Sequence, residues 1–236
     1  MNKDERKQIR INNITLTYYE KGTGDILILL HGNGSNSLAF HHFFEHFSKK
    51  YKVIAIDSRG HGLSETGTFP YSITLFAEDI LSFCREKGFN SVNIIGYSDG
   101  GNIALVLSKL DPKLIHKMIL ISPNYKAEGV KLWFKAAVKI GLLGVTPFIK
   151  YSESAKYQKW KFELMIRDLG LSKEDLGRVV QPTLILTAKK DMIYEHHIKE
   201  IHHSIHHSIL TMVEKSNHFT IVGKEKTLQS IEEFLD

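Results

Sequence analysis

Short apolar runs rich in β-branched residues recur at 26–30, 53–56, 92–95, 118–121, 183–187 and 210–213, and none alternates cleanly between apolar and polar positions. Strands buried on both faces of a sheet read this way, because neither face offers side chains to water. Between the runs, apolar residues fall at helical spacing over 38–47, 73–87, 102–110, 194–203 and 224–234. Alternating strands and helices predict an α/β fold: a mostly parallel twisted sheet whose right-handed crossovers place helices on both faces. Ahead of this pattern, Ile9-Arg10-Ile11 and Ile14-Thr15-Leu16-Thr17-Tyr18 flank Asn12-Asn13. Asparagine tolerates positive φ, so the pair predicts a tight turn and an N-terminal antiparallel hairpin.

One interval breaks the alternation. Residues 124–177 offer no strand, yet Trp133, Phe134, Ala137, Ile140, Trp160, Leu164 and Met165 fall at helical spacing. This predicts a helical insertion after a strand, placed to cover the C-terminal edge of the sheet, where open α/β folds bind ligands. Most of its aromatics are expected in the core, with Trp133 and Trp160 as candidates for substrate contact. The expected organisation is one α/β domain over 1–236 with a helical lid inserted at 124–177.

Composition narrows the class of partner. A chain of 236 residues, 42% hydrophobic, can bury a substantial core. Its 31 Lys and Arg against 26 Asp and Glu give a net charge of +5, but the basic residues are interleaved with acids, as in Lys3-Asp4-Glu5-Arg6-Lys7 and Glu86-Lys87. Nucleic-acid binders concentrate charge on one face or arm, so no nucleic-acid partner is expected. No run approaches the roughly 18 apolar residues of a membrane span, and the charged N-terminus has no apolar core behind it. A soluble cytoplasmic protein without a membrane partner is the expectation. Cys84, the one cysteine, lies in the amphipathic stretch 73–87 and reads as a small core residue. The pattern carries no signal of oligomeric state.

The densest chemical signal is Gly96-Tyr97-Ser98-Asp99-Gly100, between the apolar run 92–95 and the helical run 102–110. A sharp strand-to-helix turn lifts a serine hydroxyl clear of the chain and sets it beside free backbone amides, as a nucleophile requires. Such a serine needs a histidine base and a carboxylate to orient it, supplied from the ends of other strands. Asp191 follows the strand 183–187, and His218 follows the strand 210–213. Amides for a developing oxyanion are expected at Asp99, next to the serine, and at Asn33 in His31-Gly32-Asn33-Gly34.

Taken together, these motifs and Asp57-Ser58-Arg59-Gly60-His61-Gly62-Leu63-Ser64 resemble the α/β-hydrolase superfamily, specifically its compact, lid-bearing branch of small serine esterases. The resemblance runs from about Ile26 to Phe234. It implies Ser98 as nucleophile, Asp191 as acid, His218 as base, and Asn33 and Asp99 as the oxyanion hole. It implies no cofactor and no metal, and a structural role for His61. Two positions depart from the family pattern, Ala188 and Asn217, where glycine is usual. The expected activity is hydrolysis of small to medium carboxylic esters or thioesters. The alternatives are a C–C bond hydrolase of ring-cleavage products with the same triad, and a catalytically silent ligand-binding protein.

Two features remain open at this level. The Asp99 carboxylate either favours cationic substrates or simply caps the helix that it begins. The histidine pairs His196-His197, His202-His203 and His206-His207 are expected mainly on a solvated face rather than at a metal. His41, His42 and His46 are read equally as pocket or surface.

Overall fold

Asn12 and Asn13 both adopt positive φ, 42° and 63°, and turn β1 (Arg6–Ile11) into β2 (Ile14–Lys21) as the hairpin pattern predicts. The computed structural model describes all 236 residues. Beyond the hairpin come β3 (Ile26–Leu30), α1 (His41–Phe47), β4 (Lys52–Ile56), α2 (Ile73–Glu86), β5 (Val92–Tyr97), α3 (Asp99–Leu110) and β6 (Ile115–Ile121). After them come α4 (Leu132–Val145), α5 (Glu153–Leu164), α6 (Lys173–Gly177), β7 (Thr183–Lys190), α7 (Glu195–Ser204), β8 (Ser208–Asn217) and α8 (Glu225–Leu235). The eight strands form one sheet in the order β1-β2-β4-β3-β5-β6-β7-β8, antiparallel through β2–β4 and parallel thereafter.

The absence of alternation in the central strands has a direct cause. Leu27 and Leu29 of β3 pack with Phe43, Phe44 and Phe47 of α1 and Ile231 of α8. Ile28 and Leu30 face the other way, among Phe76, Ile80 and Phe83 of α2 and Ile103 of α3. Each strand is therefore apolar on both sides. Cys84 is fully buried in the second of these layers, and burial pushes its thiol up to about 12, so it acts as a core residue.

Two element boundaries differ from expectation. The helical stretch at 38–47 is split: Asn36 caps a 3-10 turn, Ser37–Phe40, by accepting from the Leu38 amide, and α1 starts only afterwards. Helix α3 begins at Asp99 rather than at 102, because Gly100 and Gly101 lie inside it. A Cβ on Gly100 would land on the Leu30 carbonyl oxygen, so this glycine permits helix and strand to approach rather than ending the helix.

Helices α4, α5 and α6 lie between β6 and β7, in the strandless interval. The chain entering this segment is stitched to the loop after β7. Lys131 N–H donates to the Met192 carbonyl at 2.9 Å, Tyr194 N–H donates to the Gly129 carbonyl at 2.8 Å, and Val130 bridges Ile193. His197 is buried here, stacked on Tyr125 with ring centroids 4.8 Å apart. Among the other paired histidines, His202 is half-buried and His196, His203, His206 and His207 are exposed.

The turn 57–64 is a polar knot beneath the β3 loop. The Asp57 carboxylate accepts from the amides of Ser37 at 2.8 Å and Leu63 at 2.9 Å. Arg59 donates to both oxygens of Asp79 at 2.8 and 2.6 Å, with the pair almost fully buried. His31 Nε2 accepts from the Ser58 amide at 3.0 Å while its Nδ1 stands 2.7 Å from the Gly32 carbonyl. Burial holds the His31 and His61 imidazoles below their usual range, His61 at about 3, so both are neutral and act as rivets between loops.

Candidate active site

The elbow after β5 holds Ser98 at φ 53° and ψ −120°. A non-glycine residue there stores strain on the order of 1–3 kcal/mol, which persists only if the surroundings over-determine it. They do: Ser98 N–H donates to the Ile121 carbonyl at 2.8 Å, and the Ser98 carbonyl accepts from the amides of Gly101 and Asn102. A Cβ on Gly96 would strike the Gly100 carbonyl, so the bend tolerates no side chain at that flank.

Three side chains separated widely in sequence meet at the C-terminal edge of the sheet. Ser98 Oγ lies 3.0 Å from His218 Nε2, and His218 Nδ1 lies 2.7 Å from Asp191 Oδ1. Asp191 is heavily solvated by the protein itself. Its Oδ1 also accepts from the Ile193 amide at 3.2 Å, and its Oδ2 accepts from the Ala188 amide at 3.1 Å and the Ser122 hydroxyl at 2.5 Å. Burial pushes this carboxyl up, but the hydrogen bond and charge of His218, with those of Ser122 and Ala188, hold it below the usual carboxylate range. The alanine that departs from the family pattern thus supplies an amide, which any residue can do.

The histidine is held by two devices. The Asn217 side chain accepts from the amides of Phe219 at 3.0 Å and Thr220 at 3.1 Å, and Tyr97 donates its hydroxyl to the His218 carbonyl at 2.8 Å. Asn217 therefore shapes the loop through its amide oxygen. The left-handed residue before this loop is Lys215, near the end of β8, at φ 52°.

The loop after β3 approaches the elbow closely: a Cβ on Gly32 would stand 3.1 Å from that of Ser98. The main-chain amides of Asn33 and Asp99 find no acceptor within the protein, and both residues line the same cavity as Ser98. The Asn33 side chain donates to the Lys161 carbonyl of α5 at 2.8 Å, tying this loop to the helical segment above it.

That cavity measures about 630 Å³. Its apolar wall comes from Phe134, Ala137 and Val138 of α4, Phe162 of α5, Met165 and Met192. Neither candidate tryptophan lines the cavity. Trp133 points to solvent, 59% exposed, while Trp160 is buried against Tyr71 and Tyr157. The side chains one and two positions further on, Phe134 and Phe162, take their place, because helical phase fixes which neighbour faces inward. His41, His42 and His46 do not line the cavity either; His46 Nε2 lies 3.2 Å from Glu232 at the surface.

Asp99 lines the cavity and is buried. Its Oδ1 accepts from Asn102 at 3.1 Å, while Oδ2 has no partner. Burial raises its carboxyl to about 6, against the opposing pull of the Asn33 and Asn102 amides and the His218 charge. No lysine or arginine lines the cavity. No group of three or more His, Cys, Asp or Glu stands together to hold a metal ion, and no helix is long and apolar enough to cross a membrane.

Sequence reasoning missed Tyr97 and Ser122 as supports. Ser122 follows β6 at φ 52°, a backbone state with no sequence mark when the residue is neither glycine nor asparagine.

A family model described as alpha/beta hydrolase fold matches residues 25–142. The chain is 26% identical over 251 aligned positions, covering 95% of both proteins, to the (E)-2-((N-methylformamido)methylene)succinate hydrolase of Acinetobacter baylyi. It is 27% identical over 235 positions, 89% of this chain and 79% of the relative, to serine hydrolase BPHL of Homo sapiens. Among solved structures, the meta-cleavage product hydrolase of Pseudomonas fluorescens superposes with a TM-score of 0.81 at 19% identity, over 99% of this chain and 98% of that one. The hydrolase MGS-M2 from a Medee basin deep-sea metagenome library gives 0.83 at 17% identity, over 97% of each. At such identities the structures speak to fold. With half its length matched by the family model and its strand order, elbow and converging loops as described, the chain belongs to the alpha/beta hydrolase family.

Proposed function

We propose that this protein is a serine hydrolase that cleaves small to medium carboxylic esters or thioesters through an acyl-enzyme on Ser98. His218 Nε2 takes the hydroxyl proton as Ser98 Oγ attacks the carbonyl, and Asp191 holds the imidazole in the tautomer with Nδ1 protonated. The amides of Asn33 and Asp99 receive the oxyanion. The tetrahedral intermediate collapses as His218 protonates the leaving alkoxide, and water activated by His218 then hydrolyses the acyl-enzyme. None of these steps calls on a metal or cofactor. The segment 124–177 serves as the lid, since α4 and α5 supply the apolar wall.

The observation that carries this reading over C–C hydrolysis is the charge of the cavity. One relative's name denotes a succinate, and the structural neighbour's a meta-cleavage product. Acidic substrates of that kind are favoured by a cation, and no lysine or arginine lines this cavity, beside which the carboxyl of Asp99 is buried. A neutral ester fits it, and an ester bearing a cationic group is favoured by the buried carboxyl of Asp99 beside the cavity.

A series of p-nitrophenyl esters of rising acyl length, run beside fluorophosphonate labelling, tests the reading. Labelling of Ser98 with turnover of short to medium chains is expected. Absence of labelling leaves the silent ligand-binding reading, and labelling with turnover only of dienone acids leaves the C–C hydrolase.

Asp99 makes a separate prediction. For a p-nitrophenyl ester carrying a trimethylammonium group and its neutral tert-butyl isostere, Asp99→Asn is expected to lower the ratio of kcat/KM values on the order of tenfold. The carboxyl is raised to about 6, so it is protonated and neutral below that pH and charged above it. The wild-type preference for the cation should therefore grow as pH rises through about 6. An unchanged ratio in the variant sinks the idea.

Ser122→Ala removes the hydroxyl bonded to Asp191 Oδ2. A loss of about 10- to 100-fold in kcat/KM is expected, since a hydrogen bond to a charged group contributes about 1.5–3 kcal/mol. Because the bond favours the ionised carboxylate, its removal raises the Asp191 pKa, and the acid limb of the pH profile moves to higher pH.

A further inference from the structure

Residues 131–151, which make up α4 and the turn after it, carry four lysines and no acidic residue. On either side, Lys126 and Lys156 pair with Glu128 and Glu153, whereas Lys131, Lys135, Lys139 and Lys150 have no carboxylate within reach. Among these unpaired cations protrude Leu132, Trp133, Ile140, Leu143, Phe148 and Tyr151, each between 59% and 86% exposed. Trp133, Ile140 and Leu143 recur at near-helical spacing on the outer side of α4, opposite Val138, which is buried.

A protein surface rarely presents so many large apolar side chains together without an occupant. Aromatic and aliphatic residues flanked by lysines, on a helix lying flat against its own protein, are the composition of an interfacial helix. We propose that the outer face of α4 and its following turn dock on an anionic lipid surface, with the apolar side chains in the acyl boundary and the lysines at the headgroups. The chemistry excludes the simplest competitor. A two-fold contact between copies would set this face on itself and bring unpaired lysines against lysines, which is unfavourable. Docking of this kind places the protein on a membrane without spanning it, and it revises the sequence-level expectation of no membrane partner. The inner side of the same helix, at Phe134, Ala137 and Val138, lines the cavity, so the docked helix would separate lipid from the site by its own width. The inference does not rest on the esterase reading, because binding is read without turnover.

The test uses Ser98→Ala protein, so that lipid cleavage does not intrude, in co-sedimentation with vesicles. Phosphatidylcholine alone is compared with phosphatidylcholine mixed with an equal amount of phosphatidylglycerol. Binding to the mixed vesicles is expected, at least about tenfold tighter than to the neutral ones and lost at ~1 M salt, where surface charges are screened within about 3 Å. Lys139→Gln and Lys150→Gln should each weaken it about fivefold. Trp133→Gln with Ile140→Gln should abolish it while leaving turnover of a soluble ester by the Ser98 protein unchanged. In Trp160→Phe protein, the emission of Trp133 should shift to the blue on binding. Equal binding to both vesicles, or none to either, overturns the proposal. So does a dimer in solution that the paired Trp133 and Ile140 changes dissociate and that fails to bind vesicles.

Discussion

Ser98→Ala is expected to lower kcat for the ester reaction by about 10⁶-fold while leaving the fold intact. The magnitude follows from removing a member of a unit that acts together. His218→Ala should cost about as much, and the double variant scarcely more, because each change alone abolishes the proton transfer that makes the nucleophile. Asp191→Asn should cost about 10⁴, since the amide leaves the ring in place but favours the wrong tautomer. The measurement is steady-state turnover with fluorophosphonate labelling, beside a thermal melt. Ser98→Gly adds a second readout. Its residue is at ease at φ 53°, so it should be inactive yet more stable than Ser98→Ala by about 1 kcal/mol. A serine of ordinary backbone role would show neither the loss nor the gain.

Asp79→Ala is expected to destabilise the protein by about 3–5 kcal/mol, the cost of leaving a buried charge without its partner. Arg59 is 3% exposed and gives two hydrogen bonds to Asp79, so truncation leaves a buried guanidinium without its carboxylate. Asn12 also donates to Asp79 Oδ1 at 3.1 Å, and the hairpin turn loosens with it. The double change Arg59→Met with Asp79→Leu should recover most of the loss, because it removes the charge along with its partner. Urea denaturation separates the two outcomes. If the single variant loses less than ~1 kcal/mol, the pair is better hydrated than its burial indicates. The consequence extends to the site, since Ser58, next to Arg59, donates to His31, and His31 sits at the base of the loop that carries Asn33.

Much of the architecture was legible because it rests on local pattern. Doubly buried strands, the Asn12-Asn13 turn and the strandless interval 124–177 all leave periodicity or composition in the chain. The elbow was legible for a stronger reason. Two glycines flanking a serine at fixed distance mark a backbone bend that few other residues permit, as the contacts of Gly96 and Gly100 show. Position after successive strands singled out Asp191 and His218, because a parallel sheet brings all its C-terminal loops to one edge. What failed was the identity of the cavity wall. Trp133 and Trp160 were the conspicuous residues, yet the inward ones are Phe134 and Phe162. A helix with apolar residues on most sides gives no phase, and α4 is such a helix.

By itself the sequence determined the fold class, the strand-to-helix elbow and the residues that converge on it, since each depends on short-range pattern or on strand order. Only the tertiary structure decided that Asp99 buries its carboxyl, with one oxygen unpartnered, beside a cavity whose wall holds no lysine or arginine, and that Ser122 and Tyr97 brace the acid and the base. It also decided which side of α4 meets the cavity and which, with the residues flanking the helix, presents four lysines and exposed aromatics. The physical reason is common to all three. Burial, the pKa shift it causes and the direction of a side chain depend on what other segments pack against a residue, and no window along the chain contains those segments.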